Sequence, residues 1–156
     1  MNKVYFPMVI LALCAIAVSI FINAGSMGPI LHYLRPDSFL FVFVLTAAMS
    51  LSTFSFAEMG KFFKISFQER AEPAELNRAL VFFRSLQSYT IISGFTGTFV
   101  GMIGMLSTIK DKAAIGTGLS LAFLTVLYAL VLNLMLIVPF KTAIKKRLHQ
   151  SDRVTG

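Results

Sequence analysis

Apolar residues fall in four runs, roughly Val4 to Ile22, Ser38 to Ala57, Ser88 to Ile109 and Ala114 to Phe140, and every Asp, Glu, Lys and Arg lies outside them. Each run is close to or longer than the roughly 20 helical residues that cross a ~30 Å hydrocarbon layer. The pattern predicts an all-α integral membrane protein with four transmembrane helices. Pro7 stands in the first turn of span one, where a missing N–H is tolerated. The cluster Asn23-Ala24-Gly25-Ser26 ends that helix. Tyr33 and His32 in the following connection suit an interfacial position, and Asp37 or Ser38 can cap span two. Span two mixes phenylalanines, which suit lipid, with Thr46, Ala47, Ala48, Ser50, Ser52, Thr53 and Ser55, which suit close helix packing.

Only about thirty residues separate spans two and three. Within them Glu72-Pro73-Ala74-Glu75 reads as a helix start, with proline in the first turn and carboxylates at the positive end of the dipole. A helix running unbroken from Ala74 to Ile109 would be about 54 Å long. Span three is therefore expected to project from the membrane as an amphipathic stalk.

Composition narrows the class. In 156 residues, 56% are apolar and 13% charged, and the mean hydropathy is +0.78, which excludes an ordinary soluble domain. Placing both termini and the connection between spans two and three on one side collects Lys3, Lys61, Lys64, Arg70, Arg78, Arg84, Lys141, Lys145, Lys146, Arg147 and Arg153. Only Arg35, Lys110 and Lys112 remain on the other. The positive-inside bias then puts both termini in the cytoplasm. The net charge of +7 is that of inner-leaflet loops attracted to anionic lipid, not of a nucleic-acid binder. A cleaved signal peptide is the competing reading of the first run, but the run exceeds the 7–15 residues of a signal core. Cys14 is the sole cysteine, so no internal disulfide can form. His32 and His149 stand far apart in polar stretches, and no metal cluster or cofactor motif is visible. An enzyme is not expected, because no nucleophile with its base and no phosphate loop appears.

The informative residues lie in the last two spans. Gly94, Gly97, Gly101 and Gly104 recur at spacings that keep them within about 80° of one helix face, with Thr98 at its edge. In span four Gly118, Ala122, Thr125, Ala129 and Asn133 form a matching stripe, opposite the bulky Phe123, Leu127, Leu130 and Leu134. Close packing alone can explain either stripe. Two such stripes, each with a buried threonine and joined by the short turn Ser107 to Ala113, also suit a wall that presents oxygens or water to a cation. Intramembrane carboxylates usually carry protons. Here Asp37, Glu58 and Asp111 lie at span ends, and Glu69, Glu72, Glu75 and Asp152 lie in the cytoplasm. Conduction would therefore require an acid from a partner helix. The layout becomes an N-terminal hairpin over 1–57 (spans about 4–22 and 38–57), a short cytoplasmic segment and stalk over 58–87, channel-forming spans three and four over 88–140, and a basic tail over 141–156.

The stretch GTFVGMIGMLSTIKDKAAIGTGLSLAFLTVLYALVLNLMLIVPF, Gly97 to Phe140, resembles the MotA/TolQ/ExbB proton-channel family, and the four-span layout resembles its MotA branch. The resemblance rests on Gly97-Thr98, Ala114-Ile115-Gly116, the Leu-Thr-x-Leu-Tyr at Leu124 to Tyr128, and Pro139. A weaker match runs from Pro36-Asp37-Ser38 through Phe63-Lys64 to Glu72-Pro73-Ala74-Glu75-Leu76. It implies a multi-pass protein of the bacterial inner membrane, forming a homopentamer around single-span MotB- or ExbD-like partners that each supply a membrane aspartate. It also implies that Thr98 and Thr125 line the ion path and that Tyr128 and Pro139 shape span four; Asn133, on the same stripe as Thr125, is read as a further ion-path residue. Three departures qualify the transfer. Ile91 stands where flagellar members usually carry a proline, the connection between spans two and three is drastically shortened, and Val126 replaces the second hydroxyl of sodium-driven relatives, which favours H+ over Na+. The expected function is a proton-conducting stator or energiser subunit. If it drives a rotor, Lys61, Lys64, Glu69, Arg70, Glu72, Glu75 and Arg78 are the charges available for contact. The alternative is a non-conducting membrane scaffold or transporter accessory subunit.

Overall fold

A computed structural model describes residues 5–24, 35–68, 71–108 and 112–155, and the elements among them are helical throughout. In chain order they are α1 (Tyr5–Ala24), α2 (Pro36–Thr53), α3 (Phe56–Phe67), α4 (Pro73–Thr108), α5 (Lys112–Leu132), a π-helical turn (Asn133–Ile137) and α6 (Val138–Thr155). Three stretches are long and apolar enough to cross a membrane, Pro36–Thr53, Pro73–Ser107 and Gly118–Gln150, and α1 adds the shorter apolar Ile10–Ile22. The chain is thus a multi-pass membrane protein with three to four helices able to span. His32, Tyr33, Glu69, Arg70, Lys110 and Asp111 lie outside the described residues.

The spine of the fold is α4. It runs for 36 residues without a break, starting at Pro73, and α2, α3, α5 and α6 all pack against it. Glu72 caps it through its carbonyl, which accepts the Leu76 N–H at 3.0 Å. Along the membrane portion Ile92, Phe95, Phe99, Val100, Ile103 and Leu106 form an exposed apolar face. In a bilayer such a face meets lipid or other helices.

The best-packed core is at the base of the helices. Helix α3 turns back beneath α2: Glu58 reaches from its first turn to accept the Ser55 N–H at 3.1 Å, an arrangement of capping-box type. Its last carbonyls, those of Ile65 at 3.3 Å and of Gln68, accept hydrogen bonds from the Arg147 guanidinium of α6. That cation sits at the negative end of the α3 dipole. The Lys61 ammonium meets Glu75 at 2.7 Å, tying α3 to α4. Between α3, α4 and α6 the rings of Phe62, Phe63, Phe82, Phe83 and Phe140 interlock, with Phe54 edge-on to Phe82 at 5.1 Å and Phe83 stacked on Phe140 at 5.6 Å. Phe82 and Phe83 are fully buried. Offset and edge-to-face contacts add to the large apolar area each ring removes from water. Phe82→Ala is therefore expected to cost about 3–5 kcal/mol, read as a lowered unfolding midpoint in detergent.

Pro139 does not end the last helix, which continues to Thr155. Proline lacks the N–H that an α-helix needs, and its ring crowds the carbonyl one turn earlier. Here the helix widens just ahead of it: the Val138 N–H reaches Asn133 O, five residues back. A one-turn π segment absorbs the proline and lets α6 carry its basic residues down beside α3.

Candidate ion-path site

Helices α4 and α5 form an antiparallel pair whose seam is made of small residues in register. A Cβ built on Gly94 would lie 2.5 Å from the Ala129 Cβ and 3.3 Å from the Val126 Cα. On Gly97 it would meet Thr125 Cβ at 3.2 Å and the Phe41 ring of α2 at 2.9 Å, and on Gly101 it would meet Ala122 at 3.3 Å. Farther along, Gly118 lies under the Met105 side chain. Gly104 would meet nothing within 4 Å inside the subunit. The two backbones therefore approach as closely as bare glycine allows, which is how membrane helices gain contact without a hydrophobic drive between them.

Thr98 and Thr125 lie inside this seam, only 5% and 6% exposed. Their hydroxyl oxygens are 2.9 Å apart. Thr125 donates to Ala122 O at 2.6 Å, while Thr98 has Gly94 O and Ala122 O both at 3.0 Å. Two hydroxyl protons are thus distributed over two carbonyls and the partner hydroxyl. Each hydroxyl oxygen carries two lone pairs, so the pair retains unused acceptor capacity. The result is a compact group of four oxygens, Thr98 Oγ1, Thr125 Oγ1, Gly94 O and Ala122 O, in a seam otherwise made mostly of small and apolar residues. Hydroxyl and carbonyl oxygens of this kind can solvate a hard cation or accept from an acid. No His, Cys, Asp or Glu cluster able to hold a metal occurs among the described residues.

Helix α2 closes one side of the seam. Phe41 covers Gly97, Thr46 meets Ser93 across the interface at 3.3 Å, and Thr53 shares a 2.9 Å hydrogen bond with Tyr89. Tyr128 of α5 accepts the Arg35 N–H at 2.8 Å and stands edge-on to Phe39, fixing where α2 begins. Arg35 itself is chelated by Asp37 at 3.0 and 2.5 Å, and that carboxylate raises the guanidinium pKa above its already high ordinary value. Thr46 and Thr53 were expected on the packing side of span two, whereas their partners Ser93 and Tyr89 were not foreseen. The spacing of Thr46, Ser50 and Thr53 by four and three is the signal that puts them on one helix face.

At the other end of the seam, Asn133 is 5% exposed and donates its amide hydrogen to Gln87 O at 3.4 Å. Lys141 donates to Gln87 Oε1 at 2.6 Å. Of the charges expected to face a cytoplasmic partner, Lys61 and Glu75 are paired with each other, Arg78 stands 3.9 Å from Glu58, and Lys64 and Glu72 are exposed.

Comparison with known proteins places these helices. The model of the MotA/TolQ/ExbB proton channel family matches residues 58–154. Chemotaxis protein PomA of Vibrio alginolyticus is 35% identical over 68 residues, covering 44% of this chain and 27% of the relative. Motility protein A of Borreliella burgdorferi is 30% identical over 53 residues, covering 34% and 20%, and that of Aquifex aeolicus 36% identical over 53 residues, covering 34% and 21%. The aligned stretch thus spans only 20% to 27% of these curated relatives. Because the family match runs unbroken from α3 through the Gly–Thr seam to α6, the chain belongs to the MotA/TolQ/ExbB proton channel family.

Proposed function

We propose that this protein is a proton-conducting stator or energiser subunit, which couples ion flow to rotation or force through a single-span partner of the MotB or ExbD type. The family it belongs to is one of proton channels, which supports this reading over an enzymatic one. The observation that carries the proposal is the Thr98–Thr125 pair: oxygens gathered in a buried seam between helices whose membrane portions contain no acid. Such a pair can solvate a proton in transit, but it cannot hold one at neutral pH, so the partner supplies an aspartate. Asn133 continues the stripe toward the cytoplasm. Val126 beside Thr125 withholds a second hydroxyl, which favours H+ over Na+. The exposed apolar face of α4 offers the surface on which further copies assemble, to a pentamer around the partner. All four apolar runs cross the bacterial inner membrane with both termini cytoplasmic. Lys64, Glu72 and Arg78, with Glu69 and Arg70, are the surface for a rotor if one is driven.

The test is proton uptake into liposomes containing the subunit and its partner. Flux is expected only with both, and is lost when the partner's aspartate becomes asparagine. Full flux from the subunit alone would sink the proposal. One observation favours a non-conducting scaffold instead: both threonine hydroxyls can be satisfied by carbonyls within the seam. Absence of flux with the partner present would decide for that reading.

A further inference from the structure

Among the described residues, Asn133 Oδ1 is the buried side-chain polar atom that has no hydrogen-bond partner. Exchanging the amide oxygen and nitrogen does not cure this, because the oxygen would then face the Gln87 carbonyl that now receives the Nδ2 hydrogen. A buried acceptor left bare costs about 1–3 kcal/mol, and proteins usually meet that cost with an ordered water. A second feature marks the same place. Asn133 opens the π-helical turn, and Pro139 beyond it has no N–H to return to the helix carbonyls. The helix backbone is therefore widened at the residue whose side-chain oxygen is unmet. Asn133 lies on the stripe of Thr125, two turns or about 12 Å nearer α6. Beyond it Gln87 Oε1 holds the Lys141 ammonium at 2.6 Å.

We propose that Asn133 Oδ1 holds a water molecule that relays protons between the Thr98–Thr125 pair and the cytoplasmic mouth at Gln87 and Lys141. The inference rests on the proton-conducting reading above. The water donates one hydrogen to Oδ1, which turns a lone pair toward the seam. A proton carried from the pair by further waters binds that lone pair to give a hydronium ion, whose other hydrogen passes to the next water on the cytoplasmic side, so the amide neither gains nor loses a proton. The bond from Asn133 Nδ2 to Gln87 O sets the direction of Oδ1, making the Gln87 backbone a positioning group.

The test uses the full chain with its partner. A cryo-EM map fine enough to show ordered water is expected to carry density within about 3.2 Å of Oδ1, and a map with no such density overturns the inference without any variant. Asn133→Leu, of similar volume, removes the acceptor. It is expected to assemble with unchanged or raised thermal stability, to lose the water, and to pass protons roughly tenfold more slowly, an increase of about 1.4 kcal/mol in the barrier. Wild-type flux in Asn133→Leu overturns the relay role even if the water is seen. A wild-type complex that passes no protons strikes the proposed function instead, and the density still decides the water site.

Discussion

Thr125→Val, which keeps the side chain's shape and deletes its hydroxyl, is expected to lower partner-dependent proton flux by roughly tenfold to a hundredfold while the subunit still folds and assembles. The magnitude follows from losing one hydrogen bond to a charged group in the path, about 1.5–3 kcal/mol, at about 1.4 kcal/mol per factor of ten. Folding is spared for a geometric reason. Thr98 keeps both Gly94 O and Ala122 O at 3.0 Å, so the deletion strands no buried donor, and the Ala122 carbonyl still has a hydroxyl to accept from. Thr98→Val is the mirror case, since Thr125 retains its 2.6 Å bond to Ala122 O. Thr98→Ser, which keeps the oxygen, serves as the control. Proteoliposome flux read beside gel-filtration profiles separates conduction from assembly. Wild-type flux from Thr125→Val would take that hydroxyl out of the ion path and turn the seam into packing alone.

Much of this arrangement was legible from residue pattern. The break at Glu72-Pro73 set the start of α4, and the absence of charge through the third run let the helix continue to Thr108. Both small-residue stripes could be read from spacing. Their mutual register could not, because spacing places residues on a face of one helix and says nothing of how far the neighbouring helix has slid. The structure pairs Gly94 with Ala129, Gly97 with Thr125 and Gly101 with Ala122, and it seats Gly118 under Met105 while Gly104 stays open. An unbranched methionine fills such a groove readily, a choice that composition does not announce. Helix α3 was missed for another reason. Twelve residues give too few turns for periodicity to stand out, and the run Phe62-Phe63 reads equally well as a membrane edge. The pattern Ser55-Phe56-Ala57-Glu58 is the S-x-x-E signature of a helix start, and it was the available clue. The bare oxygen of Asn133 was beyond sequence reading. It depends on a change of hydrogen-bond register near Pro139, six residues away, and on a carbonyl of α4 that already takes the Nδ2 hydrogen.

A side chain at Gly94 should do what loss of a hydroxyl does not, and separate α4 from α5. The nearest obstacle to its Cβ is Ala129 Cβ at 2.5 Å, followed by the Val126 backbone at 3.3 Å and Thr125 O at 3.4 Å, and none of these can rotate away. Gly97 differs, because the closest atoms there belong to the Phe41 ring at 2.9 Å, which can swing aside toward the exposed face of α2. Overpacking a filled interface typically costs about 1–3 kcal/mol, so Gly94→Ala should lower the unfolding midpoint clearly and Gly94→Leu should abolish folded protein. Gly101→Leu, against Ala122 at 3.3 Å, should impair assembly to a lesser degree, and Gly104→Ala should leave the subunit's stability unchanged. Because the first obstacle is a single methyl group, Ala129→Gly placed on the Gly94→Ala background should restore most of the lost stability, although Ala129→Gly alone removes contacts. A double variant no more stable than Gly94→Ala would mean that the glycine answers to something other than the methyl across the seam.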